Sequence, residues 1–85
     1  MGKYKIKSVI DHEGNLKPER IGRIVVEPIL LPNDRAYAEY VCLADGTPYS
    51  GKALVTSEVI EWNEYYDYIH IVTENSEYIF EEVAD

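Results

Sequence analysis

Apolar and polar residues alternate along most of the chain, and a period of two predicts strands. In KYKIKSVI, residues 3–10, this alternation gives one face of a strand the apolar residues Tyr4, Ile6 and Ile10. The opposite face carries the basic residues Lys3, Lys5 and Lys7. Only residues 57–69 approach the spacing of an amphipathic helix, through their glutamates, and their aromatic and β-branched content favours a strand instead.

Turn-forming residues divide the chain into six predicted strands at a spacing of about ten residues. After the first, the strands are expected at residues 21–29, 35–43, 52–62, 68–73 and 76–83. The second strand is expected to end near Pro28, because proline has no N–H for a ladder, and a loop with Leu30 and Leu31 follows. The length of the fourth strand indicates a bend or bulge near Thr56 and Ser57.

The last two strands are predicted to form a hairpin around Glu74 and Asn75. A two-residue turn at these positions pairs Thr73 with Ser76. Because successive side chains point to opposite faces, this register also decides which residues lie together. The inward face is expected to carry the aligned pairs Ile71 with Tyr78 and Ile69 with Phe80.

These strands predict an all-β fold, a single domain over residues 1–85. A small five- or six-stranded antiparallel barrel is preferred, SH3-like ahead of OB-like or an open sheet, because closure removes exposed edges. The first and last strands are expected to be neighbours. The lysines of the first strand would then face Glu77 and Glu81 of the last, with each cross-strand pair contributing about 0.2 to 1 kcal/mol.

Charge is distributed unevenly along the chain, whose net charge is -8. Residues 1–52 contain eight basic and seven acidic residues, whereas residues 53–85 contain nine acidic residues and no basic one. A net negative charge argues against binding nucleic acid or an anionic membrane. One cysteine, Cys42, excludes an internal disulfide, and no apolar run is long enough for a signal peptide or a membrane span, so we expect a cytoplasmic protein.

No catalytic or cofactor motif is recognisable, and we expect a protein that is not an enzyme and holds no metal or cofactor. The oxygens of Asp11, Glu13 and Asn15 resemble the opening of a calcium loop, but the distal glutamate is missing and a turn is favoured. His70 lies in a strand without a second histidine at ligand spacing. Cys42 is typical of a small buried apolar residue.

The segment 61–80 combines six of the ten aromatic residues with five carboxylates and contains no lysine or arginine. Part of it is predicted to be core, but two adjacent rings in the turn NEYYD cannot both point inward. An exposed aromatic and acidic patch is therefore predicted, with the candidate residues Trp62, Tyr65, Tyr66, Tyr68 and, from a separate loop, Tyr49. The alternative is that these rings cap one end of the barrel.

The stretches TSEV and TENSEYIF, residues 56–59 and 73–80, resemble a pattern in short bacterial β proteins, some of them associated with mobile elements. The resemblance implies a compact β fold and no particular activity. The residues themselves favour a non-enzymatic module that binds a protein partner, through a basic or proline-rich segment of that partner. The alternative is an acidic nucleic-acid mimic that inhibits a DNA-binding protein. Direct binding of an oligonucleotide is disfavoured because the chain lacks a basic groove.

Overall fold

The computed structural model describes residues 2–83, and regular structure in this range consists of strands and one short 3-10 helix at Pro18–Arg20. The strands are β1 Lys3–Asp11, β2 Ile24–Val26, β3 Ile29–Leu30, β4 Arg35–Cys42, β5 Ala53–Glu64, β6 Tyr68–Thr73 and β7 Ser76–Val83. Over the same residues there is no helix long and apolar enough to span a membrane. The all-β prediction is confirmed.

Six strands close into an antiparallel barrel in the order β2-β1-β7-β6-β5-β4, and pairing of β2 with β4 completes the ring. The short strand β3 pairs with β4 only. A six-stranded barrel and the neighbouring positions of the first and last strands are therefore confirmed. The finer preference for an SH3-like arrangement stays a prediction.

The core consists of inward side chains from all six barrel strands. The predicted register of the β6–β7 hairpin is confirmed, with Ile69 opposite Phe80 and Ile71 opposite Tyr78. All four of these side chains are buried, and they pack with Ile6, Val9, Val25, Ala36, Ala38, Tyr40 and Leu54. The two-residue periodicity of the last two strands thus places alternate residues in one interior.

A bulge in β1 overturns part of its predicted face. Ile6 lies opposite Phe80 and Ser8 lies opposite the next residue of β7, so Lys7 is the extra residue. An extra residue reverses the alternation beyond it. Val9 is consequently buried, whereas Ile10 pairs with the exposed Glu77 on the outer face, contrary to prediction.

The bulge predicted in the fourth strand is confirmed at Thr56 and Ser57. These two residues of β5 lie opposite the single residue Ala36 of β4. The Thr56 hydroxyl takes up the displaced ladder bond, because it accepts a hydrogen bond from the Ala36 N–H at 3.0 Å and donates to the Ser57 carbonyl at 2.7 Å. A side chain of the bulge thus replaces the backbone partner that the extra residue removes.

Hydroxyl groups connect this bulge to the β6–β7 hairpin through the fully buried Thr73. The Thr73 hydroxyl accepts hydrogen bonds from the Ser57 hydroxyl at 2.9 Å and from the Ser76 N–H at 3.1 Å, and donates to the Ser76 carbonyl at 3.0 Å. The Ser57 hydroxyl in turn accepts from the Asn75 N–H at 3.2 Å. His12 donates through Nε2 to the Thr73 carbonyl at 2.8 Å. The TS and TxNS residues of the sequence pattern therefore have structural roles.

The lysine and glutamate ladders predicted across the β1–β7 seam form in part. Lys5 lies opposite Glu81, and the Lys7 ammonium is 3.4 Å from a Glu81 carboxylate oxygen. Glu77 departs from the prediction, because the β1 bulge puts Ile10 opposite it and its carboxylate lies 3.1 Å from His70 Nε2. The Lys7–Glu81 pair is exposed, and such pairs contribute about 0.2 to 1 kcal/mol.

The second predicted strand, residues 21–29, is divided into β2 and the short β3, which extends to Leu30, where a loop was predicted. Leu31 N–H donates to the Arg35 carbonyl at 2.8 Å, and in an antiparallel ladder the backbone groups of alternate residues point to opposite sides. The N–H and carbonyl of Leu30 therefore point away from β4, toward the open edge. Pro28 lies two residues before Leu30 and Pro32 lies two residues after it, and neither proline has a backbone N–H.

Candidate binding surfaces

The turn between β5 and β6 presents aromatic rings to solvent. Its backbone is closed by a hydrogen bond from the Tyr65 N–H to the Tyr68 carbonyl at 2.8 Å. The rings of Tyr65 and Tyr68 stack with centroids 4.5 Å apart and planes at 18°. Tyr66 is 100 % exposed and Tyr65 is 52 % exposed. We call Tyr65, Tyr66 and Tyr68 the tyrosine turn.

Trp62, also predicted for this surface, is mainly a packing residue. It lies opposite the buried Ile71, so its side chain is on the inward face of β5. It is half-buried and packs against the core. Trp62 is thus partly buried against the core, whereas the fully exposed ring is that of Tyr66.

The end of the barrel that carries the tyrosine turn is negatively charged. The Glu82 N–H donates to the Asp67 carbonyl at 2.8 Å, which attaches β7 to the turn. The pKa of Tyr4, at the same ends of the strands, is raised first by burial and then by the carboxylates of Glu27, Glu82 and Glu64. We call these three glutamates together with Asp67 the acidic end.

Tyr49 is not part of the tyrosine turn. It lies in the loop between β4 and β5, so the length of β5 separates it from Tyr65. Its ring packs edge-on against the buried Tyr40, with centroids 5.3 Å apart. The structure therefore brings together three of the five candidate residues at the turn, whereas Trp62 packs against the core and Tyr49 lies in another loop.

A second group of residues, not anticipated from the sequence, surrounds Tyr49. The Arg23 guanidinium carbon lies 5.3 Å from the Tyr40 ring centroid and 5.4 Å from that of Tyr49. Burial raises the pKa of Tyr78, and the neighbouring Arg20 opposes that rise. We call Arg20, Arg23, Tyr40, Tyr49 and Tyr78 the arginine–tyrosine cluster.

The residues considered for metal binding form an ordinary turn. The Asp11 carboxylate accepts the N–H groups of Glu13 and Asn15, each at 2.9 Å, and these bonds lower its pKa. His12 is engaged with the hairpin, and His70 with Glu77. Between residues 2 and 83, no group of three or more histidine, cysteine or acidic side chains could hold a metal ion. Cys42 is a half-buried free thiol.

Comparisons with known proteins give no family assignment. No family model matches this chain, and no match was found among curated proteins or solved structures. The resemblance to short bacterial β proteins stays a prediction. Functional inference therefore rests on the two surfaces described above.

Proposed function

We propose that this chain is a non-enzymatic β-barrel module that binds a protein partner through the tyrosine turn. The main support is the full exposure of Tyr66 beside the stacked rings of Tyr65 and Tyr68. Tyrosine contributes a large contact area with few rotatable bonds and keeps a polar tip, which makes it frequent at interface hot spots. A ring that packs against nothing in its own fold gains burial only from a partner.

The charge around the turn favours a basic segment as the partner. Glu64 precedes the turn, Asp67 lies within it and Glu82 is attached to it. A lysine or arginine can lie over a tyrosine face and contact such a carboxylate at the same time. A proline-rich segment would use the rings and leave the carboxylates unpaired, so we propose a basic partner segment in preference to a proline-rich one.

The proposal is tested by measuring the affinity of the protein for three peptides of equal length: lysine- and arginine-rich, proline-rich without charge, and acidic. We expect the basic peptide to bind most tightly and Tyr66→Ala to weaken its binding at least tenfold, since truncation of a hot-spot residue costs about 2 kcal/mol or more and tenfold corresponds to about 1.4 kcal/mol. Because Tyr66 is fully exposed, its replacement should change stability by less than about 0.5 kcal/mol.

Ile60→Ala provides a matched control, because Ile60 is an exposed apolar residue of β5 outside the turn. It should leave peptide affinity unchanged. Equal losses in the Tyr66 and Ile60 variants would contradict a specific role for the turn. Strongly salt-dependent binding to a DNA-binding protein that survives Tyr66→Ala would instead support the acidic nucleic-acid mimic.

A further inference from the structure

The outer face of the sheet formed by β3, β4 and β5 carries a row of apolar side chains. Ile29 lies opposite Tyr37, and Tyr37 lies opposite Val55. Tyr37 points outward, because its neighbours Ala36 and Ala38 are buried in the core and side chains alternate along a strand. Ile29 and Val55 are each 50 % exposed. We call Ile29, Tyr37 and Val55 the apolar row.

The apolar row is continuous across three strands. Side chains directly opposite each other in an antiparallel pair project to the same face, with Cβ atoms about 4.5 to 5.5 Å apart. A strand face that meets water normally carries polar residues at such positions. Single apolar residues scattered over a surface are ordinary, whereas neighbouring ones that form a patch mark sites of association. Face-to-face packing with another sheet would bury this row.

Opposite charges lie on either side of the row in β4. Arg35 and Glu39 are both exposed, and each is two residues from Tyr37, so all three side chains lie on the outer face. At about 3.4 Å per residue, each charged position is about 7 Å from Tyr37 along the strand. Arg35 Nη1 donates a hydrogen bond to the Thr56 carbonyl at 3.2 Å, which restrains the guanidinium on the side of β5.

We propose that a second copy of this chain packs on the apolar row, with the β4 strands antiparallel and related by a two-fold axis over Tyr37. This rotation exchanges the positions two residues before and two residues after Tyr37, so Arg35 of each copy faces Glu39 of the other. Glu58, opposite Arg35 in the sheet, then faces Ala53, which is opposite Glu39. Parallel β4 strands would instead bring each charge against its own kind. The charges thus select the antiparallel arrangement.

Other occupants match this face less well. A basic or an acidic segment would pair with only one of the two opposite charges of β4, whereas a second copy pairs with both. A strand added at the edge of β3 would find a single donor there, the N–H of Leu30, because Pro28 and Pro32 have none. Association through the face of the sheet needs no backbone donor.

The size of the face indicates a weak dimer. Three strands about 4.8 Å apart, with five residues each at about 3.4 Å, cover about 14 by 17 Å. A stable complex buries about 800 Å² of accessible surface on each partner, more than a face of this size provides. At an ionic strength of about 0.15 M, charges more than about 8 Å apart are largely screened, so the net charge of -8 on each copy limits the affinity without preventing contact. We expect a Kd between about 0.1 and 1 mM.

The test is a dilution series of the intact protein from about 2 mM to about 20 µM at constant ionic strength, followed by amide chemical shifts and translational diffusion in NMR. We expect concentration-dependent shifts centred on Ile29, Tyr37 and Val55, with slower diffusion at the higher concentrations. Tyr66→Ala should leave both unchanged, because the tyrosine turn lies beyond the far end of β5 from Val55. Shifts and diffusion that do not depend on concentration, or their loss in Tyr66→Ala, would overturn the proposal.

Charge reversal distinguishes the paired arrangement from general repulsion between two acidic molecules. Arg35→Glu makes the net charge of -8 more negative, whereas Glu39→Arg makes it less negative. Each should nevertheless raise Kd at least about tenfold, because each converts both ion pairs between the copies into contacts of like charge. Lys3→Glu makes the same change in net charge as Arg35→Glu at an exposed position of β1, and should change Kd less than about twofold.

Rescue experiments exclude misfolding as the cause of these losses. The double variant with Arg35→Glu and Glu39→Arg should regain the original Kd, because the exchanged charges again meet their opposites. An equimolar mixture of the two single variants should form a mixed dimer, since one copy then presents two acidic and the other two basic side chains. If Arg35→Glu fails to fold, Glu39→Arg and the double variant decide. Tighter self-association of Glu39→Arg, equal effects of Arg35→Glu and Lys3→Glu, or no rescue in the double variant would overturn the proposal.

Discussion

Replacement of Thr73 by valine preserves the shape of a fully buried side chain and removes only its hydroxyl. The Ser76 N–H and carbonyl, in a residue that is 8 % exposed, then lose their hydrogen-bond partner, as does the Ser57 hydroxyl. A buried polar group without a partner costs about 1 to 3 kcal/mol. Since the Ser57 hydroxyl can rotate toward another acceptor, we expect a total loss of about 2 to 3 kcal/mol in the free energy of unfolding.

The expected loss is large enough to measure without ambiguity. For a domain of 60 to 100 residues, 1 kcal/mol lowers Tm by about 4 to 8 °C, so Thr73→Val should lower Tm by roughly 10 to 20 °C. Urea unfolding followed by far-UV circular dichroism should show a lower midpoint with an unchanged slope. Thr47→Val, at an exposed turn residue, is the control and should change stability by less than about 0.5 kcal/mol.

A double-mutant cycle tests whether Thr73 acts through the hydroxyl network. Ser57→Ala removes one of its donors, so the two substitutions should be non-additive by about 0.5 kcal/mol or more. The role assigned to these hydroxyls in joining the β5 bulge to the hairpin would be refuted by either of two results. One is a loss of stability in Thr73→Val as small as that in Thr47→Val, and the other is strict additivity of the losses in Thr73→Val and Ser57→Ala.

Three further perturbations probe other parts of the fold. Gly22→Ala should lower the free energy of unfolding by more than about 1 kcal/mol, measured by urea unfolding, because φ is positive and the new methyl would lie 2.8 Å from the Ala44 Cβ; a neutral effect would contradict this close approach. Burial raises the pKa of Tyr78 in the folded state above its unfolded value of about 10. The neutral Tyr78 side chain therefore contributes its full stabilisation below about pH 10, and this stabilisation is lost as the pH rises through the folded-state pKa. Tyr78→Phe cannot ionise and should therefore shift alkaline unfolding, followed by circular dichroism, to higher pH; an unchanged midpoint would assign that transition to other groups. Lys7→Glu should cost about 0.2 to 1 kcal/mol in thermal unfolding, and adding Glu81→Lys should restore part of it; absence of any rescue would mean that the pair contributes nothing.

Features with a local cause could be predicted from the sequence. The register of the hairpin follows from a two-residue turn and strict alternation, which is why Ile69 and Phe80 are paired as expected. The β5 bulge was indicated by the length of its strand. The bulge at Lys7 carries no glycine or proline signal, so the sequence did not indicate it. The bulge is the reason that Val9 is buried and Ile10 lies on the outer face, contrary to the prediction.

The two surfaces differ in how far the sequence could reveal them. Tyr65 and Tyr66 are adjacent in a turn, so the exposure of at least one ring followed from local geometry. Arg23 meets Tyr40 because β2 pairs with β4, with Val25 opposite Tyr40. That pairing joins segments distant along the chain, and a barrel prediction without a strand order does not specify it.

The open edge of β3 affects whether this protein can self-associate through its backbone at high concentration. Sheets recruit further chains through rows of unused backbone donors, the route by which fibrils grow. A strand approaching β3 would meet one outward N–H, that of Leu30, between two prolines that have none. Apart from backbone carbonyls, that edge therefore offers an added strand a single donor, too few to extend a regular ladder of hydrogen bonds along β3.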